Sequence, residues 1–384
     1  MTLNDTPSAN RLHIIVLGAC NSGKSSVVNL LASQQVSLVS DIAGTTTDPV
    51  RKAMELPGIG PAVFIDTAGF DDDGTLGQAR ITMTEKALDE ADIALLLVGE
   101  NETEESLWAG RLVARSIPTV KVVNKTDTGR HIPADATGVS ALGATGRDEL
   151  LEAISRAIPS DFGEPDLLRG LVKRGDTVVL VMPQDAQAPK GRLILPQVQT
   201  LRALLDRGCN AMCTTPEGLT DTLASLRSIP DLIITDSQAF AKVGPQVPDG
   251  CRLTSFSVLM AAFKGDIHYF AESAAVIDSL RPGDRVLIAE ACTHAPQSED
   301  IGRVKIPAML NKKAGGTLTV DIVSGRDFPT DLSPYSLVIH CGGCMFNRRL
   351  ILNRVRKAKS QQVPMTNYGI AIAHLTGLLA KIVY

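Results

Sequence analysis

Two groups of residues in this chain have the types and the spacing to do chemistry. The first is Gly18-Ala19-Cys20-Asn21-Ser22-Gly23-Lys24-Ser25, which fits G-x-x-x-x-G-K-[ST] between the apolar run Leu12–Leu17 and a helical segment from Lys24 to about Ala32. Glycines let such a loop wrap a phosphate chain, so that backbone N–H groups and the helix N-terminus face the negative charge. Gly18, Asn21, Ser22, Gly23, Lys24, Ser25 and Ser26 are the expected nucleotide contacts. Lys24 would reach the β- and γ-phosphates, and the Ser25 hydroxyl would bind Mg²⁺. The second group is Cys292-Thr293-His294 with His340-Cys341-Gly342-Gly343-Cys344. Three cysteines and a histidine form a transition-metal donor set, either for zinc or for an iron–sulfur cluster.

More nucleotide-site motifs follow the phosphate loop in chain order. Asp66-Thr67-Ala68-Gly69 ends a strand at Val63–Ile65. Asp66 is expected to hold the Mg²⁺ shell through water, and the Gly69 N–H to contact the γ-phosphate. Asn124-Lys125-Thr126-Asp127 ends a strand at Val120–Val123. A carboxylate at Asp127 accepts two hydrogen bonds from the guanine N1–H and 2-amino group, which adenine does not offer. The cofactors expected are therefore GTP and Mg²⁺, with Asn124, Lys125, Asp127, Ser140 and Ala141 around the base. Gly44-Thr45-Thr46-Thr47-Asp48 lies between the phosphate loop and Asp66.

This set resembles the TrmE–Era branch of translation-factor-like GTPases. The resemblance implies that Thr46 binds Mg²⁺ and senses the γ-phosphate, giving Lys24, Thr46, Asp66 and Gly69 as the catalytic set. Thr47 stands where the branch usually carries Arg. Phe70 follows Gly69 where Ras-type enzymes carry a water-positioning Gln, so intrinsic hydrolysis is expected to be slow. Asn21 resembles the phosphate-loop Asn of potassium-activated relatives, in which K⁺ does the work of an arginine finger.

These residues need a scaffold, and the alternation of short apolar runs with helical segments supplies it. Strand signals at Ile93–Val98, Val178–Met182, Ala211–Cys213, Leu232–Thr235, Arg285–Ala291, Leu318–Ile322 and Ser336–Ile339 alternate with helices such as Gln197–Arg207 and Gly369–Ile382. The fold class expected is α/β in three domains: a Ras-like P-loop G domain, then two smaller parallel-sheet α/β domains. The boundaries expected are 1–160 for the G domain, 161–174 for a Pro- and Gly-bearing linker, 175–264 for a middle α/β domain and 265–384 for a C-terminal one, to which a family resemblance assigns dimerisation and cluster binding.

At 384 residues, 44% hydrophobic and 21% charged, with a net charge of −4, the chain has the balance of a globular protein. That balance argues against tight nucleic-acid binding. Arg348, Arg349, Arg354, Arg356, Lys357 and Lys359 read as a solvated helix face. No run approaches a membrane span, and Met1 to Arg11 lacks the regions of a signal peptide, so a cytoplasmic protein with no membrane contact is expected. Of the seven cysteines, Cys20, Cys209, Cys213 and Cys251 are expected to be packed thiols.

Each half of the Cys–His pattern follows a predicted strand. If those strands are parallel neighbours, their carboxyl ends converge on one crevice. Three thiolates with an exchangeable fourth ligand suit a 4Fe–4S cluster that accepts a further group. At this point the chain resembles the HydF family of FeFe-hydrogenase maturation GTPases, on its G domain, its middle segment Gly191-Arg192-Leu193-Ile194-Leu195-Pro196-Gln197 and its C-terminal Cys-x-His…His-Cys-x-x-Cys. The resemblance implies a homodimer and a 4Fe–4S cluster on Cys292, Cys341 and Cys344. It also implies a scaffold and carrier role for a transient diiron subcluster precursor. That unit would be built by radical-SAM maturases and received by apo FeFe-hydrogenase. His294 or His340 would complete the cluster, and strand alternation favours His294. The competing expectation is an RNA-directed TrmE–Era GTPase with a zinc-stabilised tail.

Overall fold

The runs Leu12–Leu17 and Ile93–Leu97 are buried along their whole length, as central strands covered on both faces must be. Their side chains alternate between two cores. Leu12, Ile14 and Val16 pack with Val27, Val28 and Leu31, while Ile15 and Leu17 pack with Leu88, Trp108 and Leu112. The computed structural model describes residues 6–32, 49–69, 75–160, 162–163, 166–184, 193–291 and 300–384. The chain divides into two compact units, Met1–Glu164 and Pro165–Tyr384.

The first unit runs β1 (Leu12–Leu17), α1 (Lys24–Leu31), β2 (Val50–Leu56), β3 (Gly60–Asp66), α2 (Thr75–Leu88), β4 (Ile93–Leu97), α3 (Glu102–Ala114), β5 (Thr119–Val123), β6 (Ala136–Gly138) and α4 (Arg147–Ala157). Its sheet has the order β2-β3-β1-β4-β5-β6. All neighbours are parallel except β2, which forms an antiparallel hairpin with β3. Strand β2 is at the sheet edge, and Met54 and Leu56 are its buried residues, so no apolar run marks it in the sequence.

The second unit runs β7 (Thr177–Val181), α5 (Leu195–Asp206), β8 (Asn210–Thr214), α6 (Leu219–Ser225), β9 (Leu232–Thr235), α7 (Phe240–Val243), β10 (Arg252–Ser255), α8 (Phe256–Lys264), α9 (Ile267–Ala274), β11 (Arg285–Glu290), α10 (Ile306–Ala314), β12 (Thr319–Ser324), β13 (Leu337–His340), α11 (Arg348–Ser360), β14 (Met365–Asn367) and α12 (Tyr368–Leu375). It holds two four-stranded parallel sheets, ordered β10-β9-β7-β8 and β12-β11-β13-β14. One apolar core joins them, with Val179, Ile233 and Leu253 of the first sheet in the same cluster as Val286, Ile288 and Leu337 of the second.

Three expectations change here. Residues 161–174 are not all linker: Leu167, Leu168 and Val172 are buried against Val178, Leu180 and Leu204. The prolines and glycines of that stretch obscure three apolar anchors. The helix expected over Gly369–Ile382 stops at Leu375, because Gly377 takes a left-handed φ of +72°. The chain then turns back so that the Val383 N–H donates to the Leu253 carbonyl (2.8 Å). Among the cysteines expected to be packed, Cys209 is buried and Cys251 half-buried, but Cys20 and Cys213 are exposed. Cys213 lies on β8, the open edge of its sheet. No helix among the described residues is long and apolar enough to cross a membrane.

Candidate functional site

The phosphate loop joins β1 to α1. Gly23 precedes α1 with φ +92°, and a Cβ there would lie 2.2 Å from Asn124 Nδ2. Glycine is therefore required both for conformation and for the approach of a second loop. The Lys24 ammonium is folded onto its own loop, donating to the carbonyls of Gly18 (3.0 Å) and Ala19 (2.9 Å). Ser25 Oγ donates to Asp66 Oδ2 at 2.5 Å. Asp66 Oδ1 is buried with no partner among the described residues. An orphaned carboxylate oxygen beside a hydroxyl at the end of two parallel strands fits Mg²⁺, a hard cation that takes oxygen ligands. Gly69 is also constrained: a Cβ on it would lie 2.6 Å from the Cys20 backbone nitrogen. The loop after β3 thus closes directly onto the phosphate loop. Thr46 lies outside the described residues, as do Phe70 and the rest of Gly44–Asp48.

The loop of residues 124–127, expected to recognise the base, is held by side chains. Asn124 donates through Nδ2 to the Ser22 carbonyl (3.1 Å), and its Oδ1 accepts from the N–H groups of Lys125 (2.8 Å) and Ala141 (3.2 Å). Asn124 therefore ties three loops together. Ser140, expected over the guanine, donates its buried hydroxyl to Asp127 and accepts the Gly143 N–H at 2.9 Å. Asp127 is thereby oriented in advance of any base. Lys125 Nζ reaches the Asn21 carbonyl (2.8 Å) and Glu100 (3.1 Å), and Glu100 also takes Arg130 at 2.7 Å. These hydrogen bonds hold the Glu100 carboxyl below its ordinary range against the opposing effect of burial. Glu100 positions Lys125, and no sequence motif marks it.

The cysteine loop is built at the end of the second unit's C-terminal sheet. Strands β11 and β13 are parallel neighbours, with Ala289 opposite His340. The chain leaves β11 toward β12 on one side and returns to β13 on the other, so the crevice between them is a topological switch point, where open α/β sheets place ligands. There the Ala291 N–H donates to Cys341 Sγ at 2.9 Å, and the Gly343 N–H does so at 3.4 Å. Residue 292 follows Ala291 directly. Cys292 and His294 themselves lie outside the described residues, and among the described residues no group of three or more His, Cys, Asp or Glu side chains is placed to hold a metal. Of the two glycines, Gly343 is the constrained one, with φ +61° and a Cβ that would meet Ile351 at 2.7 Å.

The surroundings of this loop are charged and buried. Lys264, the last residue of α8, is 2% exposed and donates to the carbonyls of Gly343 (2.9 Å), Cys344 (3.4 Å) and Phe346 (2.6 Å). Burial lowers its amine to about 8, and the charges of Cys344 and Cys341 oppose that shift. Burial pushes the Cys341 thiol up to about 11, against the N–H bonds from Gly343 and Ala291. His340 donates through Nδ1 to the Cys341 carbonyl (2.7 Å), and its Nε2 accepts from Arg354 (2.8 Å). Burial and the Arg354 charge lower its pKa to about 3, so the ring is neutral. Both ring nitrogens are committed. Arg354 is thus no solvated residue: of the basic run on α11 it is buried, over the rings of Phe328 and Phe346. The Tyr368 hydroxyl is buried near Glu290 with no partner among the described residues. Soft sulfurs that accept backbone N–H bonds, backed by a buried ammonium, fit an anionic iron–sulfur cluster.

Comparison with known proteins assigns the parts. The sequence profile of the hydrogen maturase F dimerization domain matches residues 167–265, and that of its tetramerization domain matches residues 268–384. Together they span more than half of the chain. This chain belongs to the hydrogen maturase F family. Its first unit is a GTPase domain, matched over residues 13–125 by the 50S ribosome-binding GTPase profile. The tRNA modification GTPase MnmE of Chromobacterium violaceum is 40% identical over 119 residues, covering 30% of this chain and 26% of that protein. The Neisseria gonorrhoeae MnmE is 34% identical over 159 residues, 40% of this chain and 35% of the relative. The chain thus spans between about a quarter and a third of the length of these curated relatives. Among solved structures, Aquifex aeolicus Era bound to GDP and aluminium fluoride aligns at 21% identity over 53% of this chain and 93% of that chain, with a TM-score of 0.32. The cytosolic domain of Thermotoga maritima FeoB aligns at 17% identity over 40% and 67%, with a TM-score of 0.31. The two hydrogen maturase F profiles meet between residues 265 and 268, where α8 ends and α9 begins.

Proposed function

We propose that this hydrogen maturase F family member is a slow, K⁺-stimulated GTPase. In this reading its C-terminal residues hold a 4Fe–4S cluster that accepts a diiron subcluster precursor and delivers it to apo FeFe-hydrogenase. The observation that carries the reading is the Ala291 N–H bond to Cys341 Sγ, which ties the residue before Cys292 to a sulfur of the Cys341/Cys344 pair. Cys292, Cys341 and Cys344 are the thiolate ligands. Of the two histidines, His294 is the fourth, because His340 spends both ring nitrogens on Cys341 and Arg354. Bound there, the cluster supplies an iron with an exchangeable position, to which a precursor can attach. Residues 265–384 carry the cluster, residues 175–264 carry dimerisation, and radical-SAM maturases are the source of the cargo. Solution in the cytoplasm and indifference to nucleic acid complete the reading. The likeness to these tRNA modification GTPases covers 30% to 40% of the chain, so it does not favour RNA.

In the G domain, Lys24 and the loop N–H groups hold the β- and γ-phosphates, Asp127 reads guanine, and Ser25, Thr46 and Asp66 surround Mg²⁺. When bound, Mg²⁺ neutralises charge on the phosphates. Hydrolysis serves as a switch between loaded and released forms. The test of the cluster is elemental: anaerobically purified protein is expected to be brown, with iron and acid-labile sulfide in equal amounts. A colourless protein holding one zinc would overturn it.

Potassium activation rests on Asn21, which is exposed at the loop crest with φ +59°. GTP turnover in K⁺ is expected to exceed that in Na⁺ at equal ionic strength by about tenfold or more, a small part of what an arginine finger supplies. Asn21→Gly, which tolerates the same backbone conformation, should remove the difference. Equal rates in the two salts would refute the assignment.

A further inference from the structure

Lys264 ends a helix that is apolar apart from Ser257: Phe256, Val258, Leu259, Met260, Ala261 and Ala262 are all buried. Nothing in that setting calls for an ammonium group. Three carbonyl oxygens satisfy its three N–H donors, yet carbonyls neutralise no charge. Among the described residues it meets no carboxylate. A buried, unpaired ammonium is strongly unfavourable, and such groups persist where an opposite charge accompanies them. The loop packed against its ammonium is the one that carries Cys341 and Cys344. The carbonyls it grips belong to the same loop, residues 343, 344 and 346. The next residue, Gly265, is extended and closely packed: a Cβ there would lie 2.5 Å from the Phe270 ring.

We infer that Lys264 is the built-in counter-charge of the cysteine loop, fixing its carbonyl frame and favouring the reduced form of the cluster assembled on Cys341 and Cys344. This rests on the cluster reading proposed above. The reasoning is electrostatic. Three thiolates give the assembled site a net negative charge, and one added electron makes it more negative. A fixed positive charge in a low-dielectric surrounding therefore favours the reduced state. Lys264 is a positioning residue: it ligates no iron, and it acts on the loop and on the potential.

The test compares Lys264→Gln with Lys264→Arg in the full-length protein. The first keeps N–H donors for the carbonyls and removes the charge; the second keeps the charge. Iron content is measured first. The reduced fraction is then followed by electron paramagnetic resonance during titration with dithionite against mediator dyes. Lys264→Gln is expected to need a potential lower by at least about tenfold in the reduction equilibrium, which is about 59 mV for one electron. Lys264→Arg should titrate close to the parent protein. Loss of iron from Lys264→Gln with retention in Lys264→Arg also supports the counter-charge. An unshifted Lys264→Gln titration with iron intact would overturn it. So would equal shifts, or equal iron loss, in the two variants, since packing alone would then explain both. Parent protein without iron would defeat the cluster reading itself.

Discussion

Lys24→Ala is expected to lower GTP turnover by about two to three orders of magnitude and to leave the iron content of the protein unchanged. Lys24 is 9% exposed, and its ammonium lies against the Gly18 and Ala19 carbonyls. Those are the loop positions a phosphate chain must approach. When GTP binds, the ammonium exchanges these neutral acceptors for the charged β- and γ-oxygens, where charge-assisted hydrogen bonds are roughly twice as strong. Negative charge redistributes over the γ-phosphoryl group during transfer, so the loss falls mainly on the rate. The loop should survive the substitution, because Asn124 ties Ser22 to the base-recognition loop independently of Lys24. Phosphate release under saturating GTP, with iron determined on the same sample, is the measurement. Turnover within a few-fold of the parent would remove Lys24 from the catalytic set. Iron loss would contradict the assignment of the two sites to the separate compact units Met1–Glu164 and Pro165–Tyr384.

Cys341→Ser should have an equally large effect on the other site, reducing iron from about four atoms per chain to less than about one. A serine hydroxyl has nearly the shape of the thiol. It can still accept the N–H groups of Ala291 and Gly343, so β11, β13 and the loop that follows β13 should hold. What changes is the donor: a hard hydroxyl with a high pKa is a poor ligand for iron that soft thiolate binds well. Cys292→Ser and Cys344→Ser should behave alike, and all three should keep their GTP turnover. Parent-like iron and sulfide in any one of them would take that residue out of the ligand set. Loss of GTP turnover together with the iron would show that the substitution had damaged more than the cluster site.

The nucleotide site was legible because each of its parts ends a strand and carries its chemistry within a few consecutive residues. The phosphate loop needs glycines at fixed offsets, Asp66 is the last residue of β3, and Asp127 comes shortly after β5. Local sequence holds all of that information. The cysteine loop was half legible. Thiols are rare enough for a spaced set to stand out, but whether Cys341 would face the chain leaving β11 depended on two strands being neighbours. Lys264, Glu100 and Arg354 were not legible at all. A lysine closing an apolar helix reads as a side chain reaching for solvent. Arg354 in a run of basic residues reads as surface charge. Both are buried, because a second layer of structure, remote in sequence, covers them.

The sequence by itself determined that a G-x-x-x-x-G-K-[ST] loop, an Asn-Lys-Thr-Asp motif and a spaced set of cysteines occur in this order, each next to a strand signal. Periodicity and motif spacing are enough for that, since they act over a few residues and one turn of helix or one strand. Only the tertiary structure decided that β11 and β13 lie side by side and that Ala291 donates to Cys341 Sγ. The same packing turns His340 to Arg354 and sets Lys264 beneath the carbonyls of residues 343 to 346. These pairings span from 14 to 82 residues of chain, and they arise from burying two sheets in a common core. No local pattern encodes which side chain that burial will trap against which loop.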